Sequence, residues 1–311
     1  MAPTVQGRRV AVEPRTRPVM RDAFVEAVRA GGGELAEPET AEALVWADPA
    51  NVDAFPAVIA RAPGVRWIQL PYAGIEPFVD HLDHEHVWTC GKGVYAAPVA
   101  EHVVALSLAG LRDLHRYARE RTWSAQTGRN LLGARVTVIG AGGITSELVR
   151  LLEPWQVTVT VVRRLDVPFP GVDRVVTTDR LHEAVAGADV VVVACALTPE
   201  TTGIIDRGVL EAMADHAWLV NVGRGAHVVT ADLVAALDEG LIGGAALDVT
   251  DPEPLPDDSP LWGHPRCLIT PHVGNTPEMG LPLIARRVRE NVERFVAGEP
   301  LLGLVDVDAG Y

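Results

Sequence analysis

The stretch Val136-Thr137-Val138-Ile139-Gly140-Ala141-Gly142-Gly143-Ile144-Thr145 constrains the fold more than any other part of the chain. Four β-favouring residues run into a glycine turn, and the turn opens onto apolar positions at Ile144, Leu148, Leu151 and Leu152, spaced for one face of a helix. A strand, a tight glycine turn and a helix in that order form the entry to a βαβ unit. Gly140 permits the turn, and Gly142 has no Cβ to block close approach of a pyrophosphate. The helix that starts at Gly143 and Ile144 directs unpaired N–H groups and the positive end of its dipole at that anion. Thr145 stands where the third glycine of a G-x-G-x-x-G pattern falls. The turn alone is therefore compatible with a purely structural role, and the surrounding chain has to decide.

A chain of 311 residues exceeds a typical single core, so two domains are expected. The formal net charge of −14 disfavours nucleic acid or an anionic membrane as the main partner. The three cysteines, Cys90, Cys195 and Cys267, are widely spaced and form no C-x-x-C pair, which excludes a disulfide framework and fits a reducing cytosol. No apolar run approaches the roughly 18 residues of a membrane span. The N-terminus, with Gln6, Arg8 and Arg9 ahead of a short strand, lacks the apolar region of a signal peptide, so a cytoplasmic protein is expected.

Short apolar runs alternate with amphipathic segments along the whole chain. Val10-Ala11-Val12, Ala43 to Trp46 and Val65 to Leu70 read as strands, with helices over Met20 to Ala30 and Val52 to Arg61. Pro98 opens a long helix that links to a second block, and the polar stretch from Arg116 to Asn130, with Trp123 its only large apolar residue, reads as an arm against another subunit. Further strands are read at Val157 to Val162, Val190 to Cys195, Trp218 to Val222, Ala245 to Val249 and Cys267 to Thr270. A closing helix, Met279 to Val296, returns to the first block. This rhythm predicts an α/β chain of two doubly wound parallel-sheet domains: residues 1–97 with 278–311, and residues 98–277.

In such sheets ligands bind beyond the carboxyl ends of the strands. Three chemically capable side chains follow strands of the second domain: Arg224 in Asn221-Val222-Gly223-Arg224-Gly225, Glu253 in Asp251-Pro252-Glu253-Pro254-Leu255-Pro256, and His272 in Thr270-Pro271-His272. A guanidinium offers a fork for a carboxylate, an imidazole offers a proton to a developing alkoxide, and a carboxylate orients the imidazole. Together they suit ketone reduction. The strand from Val157 ends in Arg163-Arg164, where an NAD site needs a carboxylate for the ribose 2′-hydroxyl. Two guanidinium groups would instead attract a 2′-phosphate, so NADP(H) is the expected cofactor and NAD(H) the alternative; the same pair also reads as a solvated strand end. His81, His84 and His86 lie in a polar loop with no cysteine nearby, and no metal site is expected there. His102 reads as a hinge or packing residue.

These motifs, with their order and spacing, resemble the D-isomer-specific 2-hydroxyacid dehydrogenases, over nearly the whole chain and best from Pro98 to Thr276. The resemblance implies a Rossmann dinucleotide-binding domain and a flavodoxin-like substrate domain, usually in a homodimer. It implies that Arg224 binds the substrate carboxylate and carbonyl, that His272 is the general acid/base, and that Glu253 is its partner. It assigns Gly140, Ala141, Gly142, Gly143 and Ile144 to the pyrophosphate turn, Thr198 to the loop past the nicotinamide ribose, Val222 to the cofactor site, and Asp248 to the nicotinamide amide, although Asp248 also reads as a strand cap. Tyr72, Ala73 and Gly74 match the loop whose amides hold the carboxylate. Three residues depart from the family pattern: Thr145, Ala196 in place of a usual proline, which implies a less rigid loop, and Asn275 where small residues are usual. The expected activity is reduction of small 2-keto acids resembling glyoxylate or hydroxypyruvate. A 3-phosphoglycerate-type or other NAD-dependent enzyme is an alternative, as is a nucleotide-sensing corepressor of the same fold. The formate-oxidising branch carries Gln where Glu253 stands. Lys92, in the Gly91–Tyr95 loop, is either a contact for an anionic substrate or solvated.

Overall fold

The computed structural model describes residues 8–310; Gln6 lies outside them. The chain divides into two compact units, one running up to Tyr95 and resuming at Thr276, the other Ala96–Asn275. In the first, strand β1 (Arg9–Glu13) leads into helix α1 (Pro18–Ala30), β2 (Glu34–Leu35), β3 (Ala43–Trp46), α2 (Phe55–Ala60), β4 (Trp67–Gln69) and β5 (Val87–Thr89). All five strands are parallel, in the order β2-β1-β3-β4-β5 of a flavodoxin-like sheet. Side-chain alternation builds a core on each face. Val10, Val12, Ala43 and Val45 pack toward α1, whereas Ala11, Leu44 and Trp46 pack with Phe55, Phe78 and Trp88.

The second unit opens with α3 (Ala96–Leu111) and a short turn of helix, α4 (Leu114–Tyr117). It continues through β6 (Arg135–Ile139), α5 (Gly143–Leu152), β7 (Thr158–Arg163), β8 (Arg174–Thr177), α6 (Leu181–Val185) and β9 (Val190–Val193). Next come α7 (Arg207–Ala212), β10 (Trp218–Asn221), α8 (Thr230–Glu239), β11 (Gly244–Leu247) and β12 (Cys267–Ile269), before α9 (Pro277–Ala297) returns to the first unit and packs on α1. The seven strands of this unit are parallel in the order β12-β11-β10-β9-β6-β7-β8. Val190 to Val193 are fully buried, Val190 and Val192 on one face and Val191 and Val193 on the other, as a central parallel strand requires.

Several boundaries differ from the sequence expectation. The long helix begins at Ala96 rather than Pro98; proline is tolerated there because first-turn N–H groups have no intrahelical acceptor. The strands β2, β5 and β8 are absent from the sequence reading. They are two to four residues long, each with at least one exposed or half-buried position, so the apolar signal is weak.

The glycine turn lies at the switch point of this sheet, where β6 is flanked by β7 and β9. Gly140 has φ +117°, and a Cβ there would lie 2.6 Å from the Ala194 carbonyl oxygen at the end of β9. Nothing lies within 4 Å of the Cβ position of Gly142, the N-cap of α5. Thr145 is fully buried and donates its hydroxyl to the Gly140 carbonyl at 2.9 Å, so a side chain fills the third-glycine position by closing the turn on itself. Two substitutions two residues apart should therefore differ in cost. In urea unfolding, G140A is expected to lose about 2–4 kcal/mol through the strained φ and the backbone clash, whereas G142A stays within about 1 kcal/mol of wild type.

Candidate active site

Adjacent parallel strands carry Arg224, Glu253 and His272 to one edge of the sheet. Asn221 of β10 pairs with Leu247 of β11, and Leu247 with Ile269 of β12, so the three carboxyl ends lie side by side at the spacing of a sheet, about 4.8 Å per strand. Arg224 follows the end of β10 by three residues, and His272 that of β12 by the same interval. Gly225 makes this convergence possible: a Cβ there would fall 1.9 Å from the Thr250 carbonyl, so the turn after Arg224 lies directly on the segment leading to Glu253. The Arg224 guanidinium is half-buried and donates from Nη1 to the Gly223 carbonyl at 2.8 Å.

His272 Nδ1 donates to Glu253 Oε1 at 2.6 Å. With Nδ1–H committed to the carboxylate, Nε2 is the nitrogen left to exchange a proton with a ligand. Both side chains are about half exposed, so a ligand can reach them. The histidine backbone has φ 53°, an uncommon conformation for a residue with a side chain. Asp248 holds it there. Its carbonyl accepts the His272 amide at 2.8 Å, and its carboxylate accepts the next two amides, Val273 on Oδ1 and Gly274 on Oδ2, each at 2.9 Å. The Thr270 hydroxyl donates to the same Oδ1 at 2.6 Å, and His102 Nε2, from α3, lies 3.2 Å from it. Burial works against ionisation of this carboxyl, but the donors from His102, Thr270, Val273 and Gly274 outweigh it and hold the pKa down to about 2.

The residues expected to take the nucleotide gather at the neighbouring strand ends. Ala141 and Ile144 are half-buried, Gly142 and Gly143 exposed, and the first turn of α5 has no acidic side chain to compete for an anion. The Gly140 amide donates to the Val162 carbonyl, which brings the end of β7, with Arg163 and Arg164, beside the turn. Arg163 is half-buried and donates to the Val167 carbonyl at 3.2 Å, and Arg164 is exposed. Val222 is buried past β10, its amide bonded to Val193. Thr198 lies beyond β9 in a loop closed by Thr201, whose hydroxyl accepts the Thr198 amide and donates to the Ala196 carbonyl, both at 2.8 Å. The hydroxyl thus supplies a restraint where the proline is missing. Open space at Gly142, unpartnered N–H groups at a helix start and two adjacent guanidiniums fit a phosphate-bearing dinucleotide.

Tyr72, Ala73 and Gly74 lie in the first unit, past β4. The Tyr72 carbonyl accepts the Gly91 amide at 2.8 Å, and Tyr95 donates its hydroxyl to Pro71, so this loop and the Gly91–Tyr95 loop brace each other. A cavity of about 300 Å³ opens beside it, lined by Arg17, Pro49, Leu70, Pro71, Tyr72 and Gly74. Among the described residues no group of three or more His, Cys, Asp or Glu is placed to hold a metal ion, and no helix is long and apolar enough to cross a membrane.

Known proteins resemble this chain in sequence and fold. The family described as D-isomer specific 2-hydroxyacid dehydrogenase, NAD binding domain, matches residues 103–274. The chain belongs to that dehydrogenase family. It is 39% identical to an "uncharacterized protein in proB 3'region" of Corynebacterium melassecola over 79% of this chain and 84% of the relative. A D-isomer specific 2-hydroxyacid dehydrogenase from Xanthobacter autotrophicus, solved with NADPH and MES, is 28% identical at a TM-score of 0.85, covering 98% of this chain and all of that one. An NADPH-dependent glyoxylate/hydroxypyruvate reductase from Sinorhizobium meliloti, solved with NADP and sulfate, is 25% identical at a TM-score of 0.81, again covering 98% and 100%.

In this dehydrogenase the sequence signals neither His227 nor the polar pairing of His102. His102 reaches Thr270 and Asp248 from 168 and 146 residues away, and no local pattern signals that pairing. The Asp248 cluster has a consequence for stability. Its folded pKa lies below the ordinary carboxylate value of 3.8, so the stabilisation is fully present above about pH 4 and is lost as pH falls toward 2. In urea unfolding, D248N is expected to be less stable than wild type at pH 7 by on the order of 2 kcal/mol, and the gap should close between about pH 4 and pH 2.

Proposed function

We propose that this dehydrogenase reduces small 2-keto acids to D-2-hydroxy acids with NADPH, acting on substrates that resemble glyoxylate and hydroxypyruvate. The observation that carries the reading is the 2.6 Å contact between His272 and Glu253 on the strand edge next to Arg224. In this reading Arg224 binds the substrate carboxylate and polarises the carbonyl, and Tyr72, Ala73 and Gly74 are the substrate-loop residues whose amides take a carboxylate. His272 gives its Nε2 proton to the developing alkoxide, and Glu253 stabilises the imidazolium and holds the ring in orientation. When bound, the nicotinamide supplies the hydride.

Gly140 to Ile144 would take the pyrophosphate, while Val222, Thr198 and Asp248 would flank the nicotinamide. Among the described residues Asp248 Oδ2 accepts the Gly274 amide, and its second lone pair would suit a carboxamide N–H. Arg163 and Arg164 favour the 2′-phosphate of NADPH over the bare hydroxyl of NADH, and the two solved relatives bound to NADPH or NADP support that choice. We also propose a homodimer in the cytosol. Trp123 is 95% exposed in the arm between Arg116 and Asn130, a surface that a second copy would cover.

The test is a panel of 2-keto acids, each assayed with NADPH and NADH. Glyoxylate or hydroxypyruvate is expected to turn over, with kcat/KM higher for NADPH, and R163D should lower kcat/KM for NADPH by roughly tenfold or more while sparing NADH. A preference for NADH would overturn the cofactor choice. Tight NADPH binding without turnover of any 2-keto acid would point to a binding role.

A further inference from the structure

His227 is fully buried three residues beyond Arg224, at the end of the single helical turn Gly225–His227. The Arg224 amide N–H donates to His227 Nδ1 at 3.0 Å. A backbone amide can only donate, so Nδ1 must present a lone pair and the ring proton sits on Nε2. Nδ1 also lies 3.0 Å from the Arg224 carbonyl oxygen, but that oxygen already accepts the His227 amide at 3.2 Å and the Asn221 side-chain amide at 2.9 Å. Nε2 faces the Ala196 carbonyl at 3.3 Å and Cys195 Sγ at 3.5 Å. The ring fits because residue 223 is glycine: a Cβ there would lie 3.0 Å from both Nδ1 and Cε1.

A buried thiol beside an imidazole invites reading as a nucleophilic pair. The geometry argues otherwise, since the nitrogen facing the sulfur bears the hydrogen and has no lone pair to take the thiol proton. Burial also pushes the Cys195 thiol up to about 11, which keeps it protonated at neutral pH. The contacts instead run through the ring, from one strand end to another. Nδ1 is bonded to the backbone of Arg224 past β10, and Nε2 reaches the backbone of Ala196 past β9. The Ala196 carbonyl in turn accepts the Thr201 hydroxyl that closes the Thr198 loop.

We propose that His227 is a positioning residue: its neutral Nε2–H tautomer braces the Arg224 backbone against Ala196 and so sets where the guanidinium stands. This rests on the reading of Arg224 as the group that binds the keto acid. Loss of the brace should therefore appear in the keto-acid KM and leave NADPH binding nearly untouched, because Thr201 still closes the Thr198 loop.

Two measurements test it. In protein labelled with ¹⁵N-histidine, long-range ¹H–¹⁵N correlation at pH 7, with H227N used for assignment, should show His227 neutral with its proton on Nε2. A doubly protonated ring or an Nδ1–H tautomer overturns the proposal. This readout needs no turnover, so failure of the reductase reading would appear separately, as an inactive wild type that retains the tautomer. In kinetics, H227L should raise the keto-acid KM roughly tenfold through loss of the amide acceptor, with the Kd for NADPH within about twofold of wild type. H227N keeps an oxygen near the Nδ1 position and should recover to within about threefold of the wild-type KM. Equal damage in the two variants, or an H227L KM within about twofold of wild type, overturns the proposal. Should H227L fail to fold, H227N against H227Q decides: Gln puts its polar group near the Nε2 position and leaves the Arg224 amide unmatched, so its KM should stay high while that of H227N does not. Equal KM values would overturn the brace.

Discussion

Parallel pairing is the constraint from which the site follows. Every crossover in a parallel sheet returns the chain to the same end, so all the carboxyl ends of β6, β7, β9, β10, β11 and β12 emerge along one edge. A residue a few positions past one strand is thereby brought near residues that are distant in sequence. Arg224, Glu253 and His272 lie on three successive strands of that edge, and the glycine turn lies at the switch point of the same sheet. The chemistry and the nucleotide turn thus belong to one rim by topology.

Close approach then tightens the rim. Gly140 lets the turn touch the end of β9, and Gly225 lets the Arg224 turn lie on Thr250. Asp248 gathers a hydroxyl and two amides from the two sides of His272. Its burial is more than offset by its donors, and it keeps the His272 backbone in a conformation that a free loop would leave. His227 does for Arg224 what Asp248 does for His272. In each case a buried polar group bonded to backbone atoms lies behind a more accessible side chain.

Much of this was legible in the sequence. Val190 to Val193 announces a buried strand, and Val136 to Gly142 a strand and turn, because parallel strands covered on both faces must be apolar throughout. Polar residues standing just past such runs fall on the carboxyl edge, and Arg224, Glu253 and His272 do so. What stayed hidden depends on distance in sequence. His102 looks like any histidine in a helix until α3 is laid beside β11 and the Thr270 hydroxyl. His227 looks like loop until the end of β9 is beside it. The consequence of Ala196 was also hidden, since Thr201 supplies from five residues away the restraint that a proline would have given.

The central claim is that this edge delivers a hydride to one face of a 2-keto acid and a proton to its oxygen. The most direct measurement is chiral chromatography of the acid formed from hydroxypyruvate and NADPH. The D enantiomer alone is expected. Formation of the L enantiomer, or of no hydroxy acid at all, would contradict the account.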